Sequence, residues 1–161
     1  MSRVTHLDEQ GRPQMVDVGH KAHTQRVATA KGGIHLSPQA FEAALSGKGK
    51  KGDVLAVAQL AGIQGAKQTA SIIPLCHNLP LESVQLNFEA DKETSTIWCQ
   101  ATVKTTWQTG VEMEALTAVS SALLTVYDML KAIDKEMVIT NIQLLEKHGG
   151  ASGSFVSTRV P

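Results

Sequence analysis

The stretch TGVEMEALTAVSSALLTVYDMLKAIDKEM, Thr109–Met137, is the strongest helical signal in the chain. Its large apolar residues recur every three or four positions, the spacing that keeps one face of a helix apolar. They are Leu116, Val119, Leu123, Tyr127, Leu130 and Ile133. Thr109 followed by Glu112 fits a capping box, so the pattern predicts a long helix that begins at this threonine.

Before and after this helix the sequence alternates in the manner of β-strands. Four segments predict strands: Arg26–Leu36, Val84–Ala90, Ile97–Val103 and Val138–Leu145. The polar link Asp91–Ser95 predicts a hairpin between the middle two. Within the first strand, Gly32 and Gly33 predict a turn or a bulge. Residues 149–153 are rich in glycine and predict a flexible segment after the last strand.

Two helices are predicted between the first and second strands. Ser37 and Pro38 have the residue types of an N-cap and a first helical position. The apolar face of this short helix is expected to comprise Phe41, Ala44 and Leu45. Asp53 caps a second helix that runs to about Ser71, and the small residues within 56–70 predict close helix packing. The resulting βαββαβ order predicts an α+β, ferredoxin-like fold, an antiparallel sheet with helices packed on one face.

Length and composition predict one folded domain. The 161 residues are 42% hydrophobic, and we expect a flexible tail over 1–14 before a single domain over 15–161. Lys plus Arg and Asp plus Glu are both 15, so net charge argues for neither nucleic acid nor membrane partners. Without a CxxC motif or an apolar leader, the cytoplasm is the expected compartment. Aromatic residues are only 4%, and with the neutral charge this weakly favours an oligomer.

Charged residues interrupt the predicted long helix near its end. Asp128 and Lys131 are three residues apart, so they project from one patch of the helix. A carboxylate beside an ammonium can transfer protons in a cleft, or it can be an ordinary surface ion pair. Spacing alone favours the surface pair.

A second group of titratable residues lies in the apolar run Pro74–His77. His77 can donate or accept hydrogen bonds without the cost of a buried permanent charge, whereas Cys76 is either a nucleophile or a packing residue. Glu112 and Glu114 at the start of the long helix either cap it and complement its dipole or face a ligand. Together with Asp128 and Lys131, this run suggests one cleft with acid–base chemistry.

Basic residues cluster in the glycine loop 47–52, which carries Lys48, Lys50 and Lys51. A loop of this kind can hold phosphate or can be solvated surface, and the spacing of a Walker motif is absent. The histidines outside the Pro74–His77 run are scattered, so no metal site is predicted.

Several blocks of this sequence occur together in a known family. They are Met15–Val18, Lys51–Val54, Ala61–Gln64 with Lys67, Ile73–His77, Thr109–Thr117, Tyr127–Met129 with Lys131, and Lys147 with Gly149 and Gly150. On these blocks the chain resembles the MoaC family of molybdenum cofactor biosynthesis, the cyclic pyranopterin monophosphate synthases. The resemblance covers about Met15 to Gly153.

The resemblance implies a ferredoxin-like fold assembled as a homohexamer, a trimer of dimers, with active sites at dimer interfaces. The implied substrate is (8S)-3′,8-cyclo-7,8-dihydroguanosine 5′-triphosphate, which is converted to cyclic pyranopterin monophosphate with release of diphosphate. Asp128, Lys131 and Lys51 would be catalytic. Residues that would bind substrate are Leu75, Cys76, His77, Met113, Glu114, Glu112, Arg26, Lys67, Lys147 and Asp17. No cofactor is implied, although Mg²⁺ can accompany a triphosphate.

Three positions depart from the family pattern. Asn78 stands where proline is expected, and His148 and Ala151 replace an expected serine and lysine, which removes one phosphate contact at Ala151. Two other classes stay open. A ligand-binding module of the same fold would bind without turnover, and an RNA-binding domain would need exposed sheet aromatics, for which the strands offer only Phe88 and Trp98.

Overall fold

The computed structural model describes residues 6–47 and 53–159, which form one antiparallel sheet covered by helices. In chain order the elements are β1 (Thr24–His35), α1 (Pro38–Leu45), α2 (Val54–Lys67), α3 (Thr69–Ile72), β2 (Ser83–Asp91), β3 (Thr96–Trp107), α4 (Glu112–Leu130), β4 (Val138–His148) and β5 (Phe155–Val156). The spatial order of the strands is β2-β3-β1-β4-β5. The predicted α+β, ferredoxin-like class is confirmed.

The sheet differs from the prediction at its β4 edge. The predicted last strand extends to His148, and the chain then returns so that β5 pairs with it through Glu146 and Val156. In the β1–β4 register, Lys31 faces Gln143 while Gly33 faces Thr140, so the additional residue lies in β4. Gly32 and Gly33 therefore make no turn, and the bulge predicted at them belongs to the partner strand, whose Asn141 has a φ of 53°.

The core lies between the helices and the sheet, and alternation along β3 builds much of it. Ile97, Cys99, Ala101 and Val103 are all fully buried, as their spacing predicts. Phe41 and Ala44 of α1 are buried too, but Leu45 is 37% exposed, so its predicted place on the apolar face is wrong. The helix ends at Leu45, and its side chain is left outside the packed stripe.

Helix α2 packs against α4 with the two backbones close together, as the small residues predict. A Cβ added to Gly65 would lie 2.6 Å from Ser121 Cβ and 3.1 Å from the Thr117 carbonyl oxygen. Asp53 caps α2 as predicted, and its Oδ1 accepts hydrogen bonds from the N–H groups of Leu55 and Ala56 at 3.0 and 3.1 Å. The C-terminal end of α2 is therefore held beside the start of α4.

The long helix is shorter than predicted at both ends. Its N-cap is Val111, which makes no side-chain cap, so the Thr109–Glu112 capping box is wrong. Glu112 instead folds back over Gly110, where an added Cβ would lie 2.8 Å from the Glu112 Cδ. At the other end α4 stops at Leu130. Beyond this end, the Asp134 carboxylate accepts a 2.7 Å hydrogen bond from the Ser37 N–H, which ties the segment after α4 to the N-cap of α1.

Candidate active site

A pocket of about 230 Å³ opens at the N-terminal end of α4. Three segments that are distant in sequence form its walls: the loop after α3, the residues that enter α4, and the N-terminal segment. The lining residues are His6, Leu75, Cys76, His77, Leu79, Thr109, Gly110, Glu112, Met113 and Glu114. The structure thus brings together six residues that the sequence analysis named as substrate contacts.

His77 connects two of these walls. Its Nε2 atom lies 2.8 Å from the carbonyl oxygen of Val16. Because a carbonyl oxygen can only accept, Nε2 carries the hydrogen and donates it. The half-buried His77 ring therefore holds the segment around Val16 against the pocket.

Glu114 is the buried carboxyl group of the pocket, with 4% of the residue exposed. Burial, and after it the nearby charge of Glu112, raises the pKa of this carboxyl from 4.5 to about 7, although a backbone hydrogen bond at Glu114 opposes the shift. A group with such a pKa can hold or release a proton near neutral pH, which is what general acid–base chemistry requires.

Cys76 interacts electrostatically with the neighbouring Glu114 carboxylate. Burial first, and then the Glu114 carboxylate, raises the pKa of the Cys76 thiol above its ordinary value. Because the thiolate is the nucleophilic form of cysteine, this environment disfavours the nucleophile interpretation of Cys76. It favours a neutral thiol that packs against a bound molecule.

Asp128 and Lys131 form the ion pair that their spacing predicts, at the other end of α4. Lys131 Nζ lies 2.8 Å from Asp128 Oδ1, and the two side chains are 54% and 62% exposed. The hydrogen bond that Lys131 donates to Asp128, and then the charge of that carboxylate, raise the pKa of Lys131. At 1.5 Å per residue, Asp128 is about 22 Å along the helix from Met113. A single chain therefore does not bring this pair into the pocket, and the predicted common cleft is absent within one chain.

Two of the remaining predicted cations, Arg26 and Lys147, lie near the pocket. The Arg26 guanidinium donates to Thr24 Oγ1 at 2.8 Å and to the Gln108 carbonyl at 3.3 Å, and Gln108 directly precedes the pocket residue Thr109. Arg26 lines a neighbouring cavity of about 440 Å³ together with Ala151, one of the positions that departs from the family pattern. Lys147 Nζ donates to Ser152 Oγ at the same edge of the sheet.

Two predicted site residues lie away from the pocket, and a third is not among the residues that the structure describes. Asp17 is exposed, and its Oδ1 accepts a 2.8 Å hydrogen bond from the Gly19 N–H, so it stabilises a local turn and does not line the pocket. Lys67 is exposed in the last turn of α2. Lys51, like Lys48 and Lys50, lies outside the described residues.

Similarity to known proteins runs along almost the whole chain. Residues 15–150 match the sequence profile described as the MoaC family. The chain belongs to the MoaC family.

Individual relatives extend the match beyond that profile. A protein of Dinoroseobacter shibae is 56% identical over 155 residues, which cover 96% of this chain and 98% of the relative. A protein of Cereibacter sphaeroides has the same identity and coverage. A protein of Desulfitobacterium hafniense is 57% identical over 153 residues, covering 95% and 93%. Each is named cyclic pyranopterin monophosphate synthase.

In this MoaC-family chain, sequence reasoning missed four residues that line the pocket: His6, Leu79, Thr109 and Gly110. Thr109 and Gly110 stand in the family block that enters α4, so their position carried a signal. His6 carried none, because it lies in a short polar segment without periodicity.

Two general features of the described residues bear on partners. No helix within 6–47 and 53–159 is long and apolar enough to span a membrane. In the same ranges, no three His, Cys, Asp or Glu side chains group as a metal site. The prediction about cofactors stays a prediction.

Proposed function

We propose that this MoaC-family protein is a cyclic pyranopterin monophosphate synthase. It converts (8S)-3′,8-cyclo-7,8-dihydroguanosine 5′-triphosphate to cyclic pyranopterin monophosphate and diphosphate. The observation that carries the proposal is the 56% identity, over 96% of this chain, to a relative with that name. The chemistry of the pocket is consistent with it.

The pocket suits the purine-derived part of this substrate. Carboxylates of Glu112 and Glu114 repel phosphate but accept hydrogen bonds from the N–H groups of a guanine-like ring. Apolar side chains of Leu75, Leu79 and Met113 flank the same space. The triphosphate would extend towards Arg26 and Lys147, with Lys67 and the supporting Asp17 carried over from the family pattern.

The reaction rebuilds a ring and then closes a cyclic phosphate. In the second stage a sugar hydroxyl attacks the α-phosphorus, an O–P bond forms, and the bond to the β-phosphate breaks as diphosphate leaves. The hydroxyl proton must pass to a base, and the leaving charge needs a cation. Asp128, Lys131 and Lys51 are the proposed acid–base and cationic groups. No protein-held metal is proposed, and Mg²⁺ would enter with the triphosphate.

Each site would need two subunits, because α4 separates Asp128 from the pocket of its own chain by about 22 Å. We propose that Asp128 and Lys131 of one subunit complete the pocket of its partner, within the homohexamer that the family implies. A two-fold axis repeats every such contact, so each dimer holds two equivalent sites.

The decisive assay is a single turnover of the purified protein with the cyclised GTP derivative, following diphosphate and pterin product together. Both products should appear with wild type and be lost with Asp128→Asn and with Lys131→Ala. The matched controls Glu136→Gln and Lys135→Ala alter exposed charges nearby and should keep activity. Tight binding without diphosphate release would favour the binding-module class instead.

Mixing two inactive variants tests the shared site. Asp128→Asn and His77→Ala, co-expressed in equal amounts, should form hybrid dimers in which one of two sites is intact. Random pairing should then restore about a quarter of wild-type activity. If hybrids form, as native mass spectrometry can show, and the mixture stays inactive, the two-subunit site is refuted.

The RNA-binding class finds little support in the sheet. Phe88 packs against the core, and Trp98 lies beneath the Lys31 ammonium, 5.0 Å from the ring centroid. Phe88 and Trp98 therefore do not form the exposed aromatic surface on which bases would stack. The cytoplasmic compartment stays a proposal, which cell fractionation can test.

A further inference from the structure

The N-terminal segment contributes a wall of the pocket. The described part of the predicted tail folds back on itself, since the Gln14 N–H donates to the His6 carbonyl at 2.9 Å and Leu7 pairs with Pro13. The Asp8 carboxylate holds the tip of this turn. Its Oδ1 accepts from the N–H groups of Gln10 and Arg12 at 2.9 and 2.8 Å, and its Oδ2 accepts from Arg12 Nε at 2.8 Å. Flexibility of the whole tail over 1–14 stays a prediction.

Both ends of this turn contact the pocket. His6 lines it directly, and Val16, just after the turn, receives the hydrogen bond from His77. The turn between them is closed by its own hydrogen bonds, so it presents His6 at a defined place and not as one position of a loose chain.

The side chain of His6 also differs from that of His77 in its hydrogen bonding. Among the residues that the structure describes, the His6 ring has no hydrogen-bond partner, whereas the His77 ring is engaged with Val16. The other titratable lining groups are the carboxyls of Glu112 and Glu114 and the thiol of Cys76. Beside the engaged His77 ring, the pocket thus holds two carboxyls, one thiol and one exposed imidazole that can donate or accept.

We propose that His6 is a substrate-contacting residue that hydrogen-bonds the purine-derived ring in this pocket. The assignment rests on the proposed function and deepens it. The carboxylates make this end of the site unsuited to phosphate, and the cations that suit phosphate lie around Arg26. His6 therefore serves the uncharged ring of the substrate, and the N-terminal turn is part of the site.

Steady-state kinetics of the full-length protein test this role. His6→Ala should raise KM about tenfold while kcat changes less than about twofold, since the lost contact is made equally in ground and transition states. His6→Asn keeps a donor and an acceptor near the ring position and should recover part of the KM. Asp8→Ala should also raise KM, because it releases the turn that carries His6.

A control variant distinguishes the loss of the His6 ring from a general effect of removing a histidine. His35, at the opposite end of β1, bonds to Thr94 and Thr96, and His35→Ala should leave KM unchanged. Inhibition by free diphosphate should be equal in wild type and His6→Ala, because diphosphate would bind at the cations. Unchanged KM in His6→Ala, or equally weakened diphosphate inhibition, overturns the proposal.

Failure of the proposed function would look different. If the wild-type protein does not turn over the cyclised substrate, the synthase assignment fails by itself. Calorimetric binding of GTP, used as a guanine-bearing probe, then decides the role of His6. Weaker binding by His6→Ala than by wild type supports the contact, and equal binding, including absence of binding in both, overturns it.

Discussion

The buried carboxyl of Glu114 should make the stability of this protein depend on pH. Its pKa of about 7 in the folded chain exceeds the ordinary 4.5 because burial disfavours the ionised form. A raised carboxyl pKa means that the folded state binds the proton more tightly than the unfolded state does. Stability from this group is therefore full below about pH 4.5 and declines as pH rises through about 7.

The size of the effect follows from the shift. Each pKa unit corresponds to about 1.4 kcal/mol, so complete ionisation of Glu114 costs the folded state at most about 3.5 kcal/mol. Glu114→Gln keeps the shape of the protonated acid and cannot ionise. The variant should match wild type near pH 4.5 and unfold with a free energy about 1–3 kcal/mol larger near pH 8.5.

Urea unfolding of wild type and Glu114→Gln at these two pH values measures the difference. Protein concentration must be equal, because assembly contributes to apparent stability, and unchanged m-values would show that both unfold the same surface. Glu136→Gln is the matched control, since Glu136 is exposed and should give no pH-dependent gain. A Glu114→Gln variant no more stable than wild type near pH 8.5 would refute the reasoning.

Three further substitutions test other parts of the structure. Lys131→Gln should abolish most turnover yet leave the melting temperature unchanged, because its partner Asp128 is an exposed side chain; a large loss of stability would contradict this. Gly65→Ala should destabilise by about 1–3 kcal/mol in chemical unfolding, since the new Cβ overlaps Ser121, and an unchanged midpoint would disprove the close packing. Asp53→Ala should cost about 1 kcal/mol through the lost cap of α2, whereas Asp53→Ser should retain most of it; equal loss in both would argue against capping.

Local signals predicted most of the fold correctly. Alternation identified the β2–β3 hairpin and the buried side of β3, and residue type identified the caps of α1 and α2. These features depend on contacts within a few residues. The errors lie where contacts between distant segments are made. Just beyond the end of α4, Asp134 binds Ser37. The two residues of β5 pair with β4 without any periodicity of their own.

The site residues also fall into those that local sequence predicted and those that depend on tertiary contacts. Family blocks predicted Cys76, His77 and Glu114 as neighbours of substrate, and the pocket contains all three. His6 had no local signal because its role comes from a turn that returns it to the pocket. The separation of Asp128 from that pocket follows from the length of α4, which a list of motif residues does not express.

The amino-acid sequence was enough to predict the class of the fold, the family, and the chemical types of the side chains available. Those follow from periodicity and from residue identity, which are local properties of the chain. Three features became apparent only from the packed chain: His6 lines the pocket, Glu114 is buried with a pKa of about 7, and Asp128 lies at the far end of α4. The physical reason is that burial, desolvation and distance are properties of the packed chain, set by contacts between segments far apart in sequence.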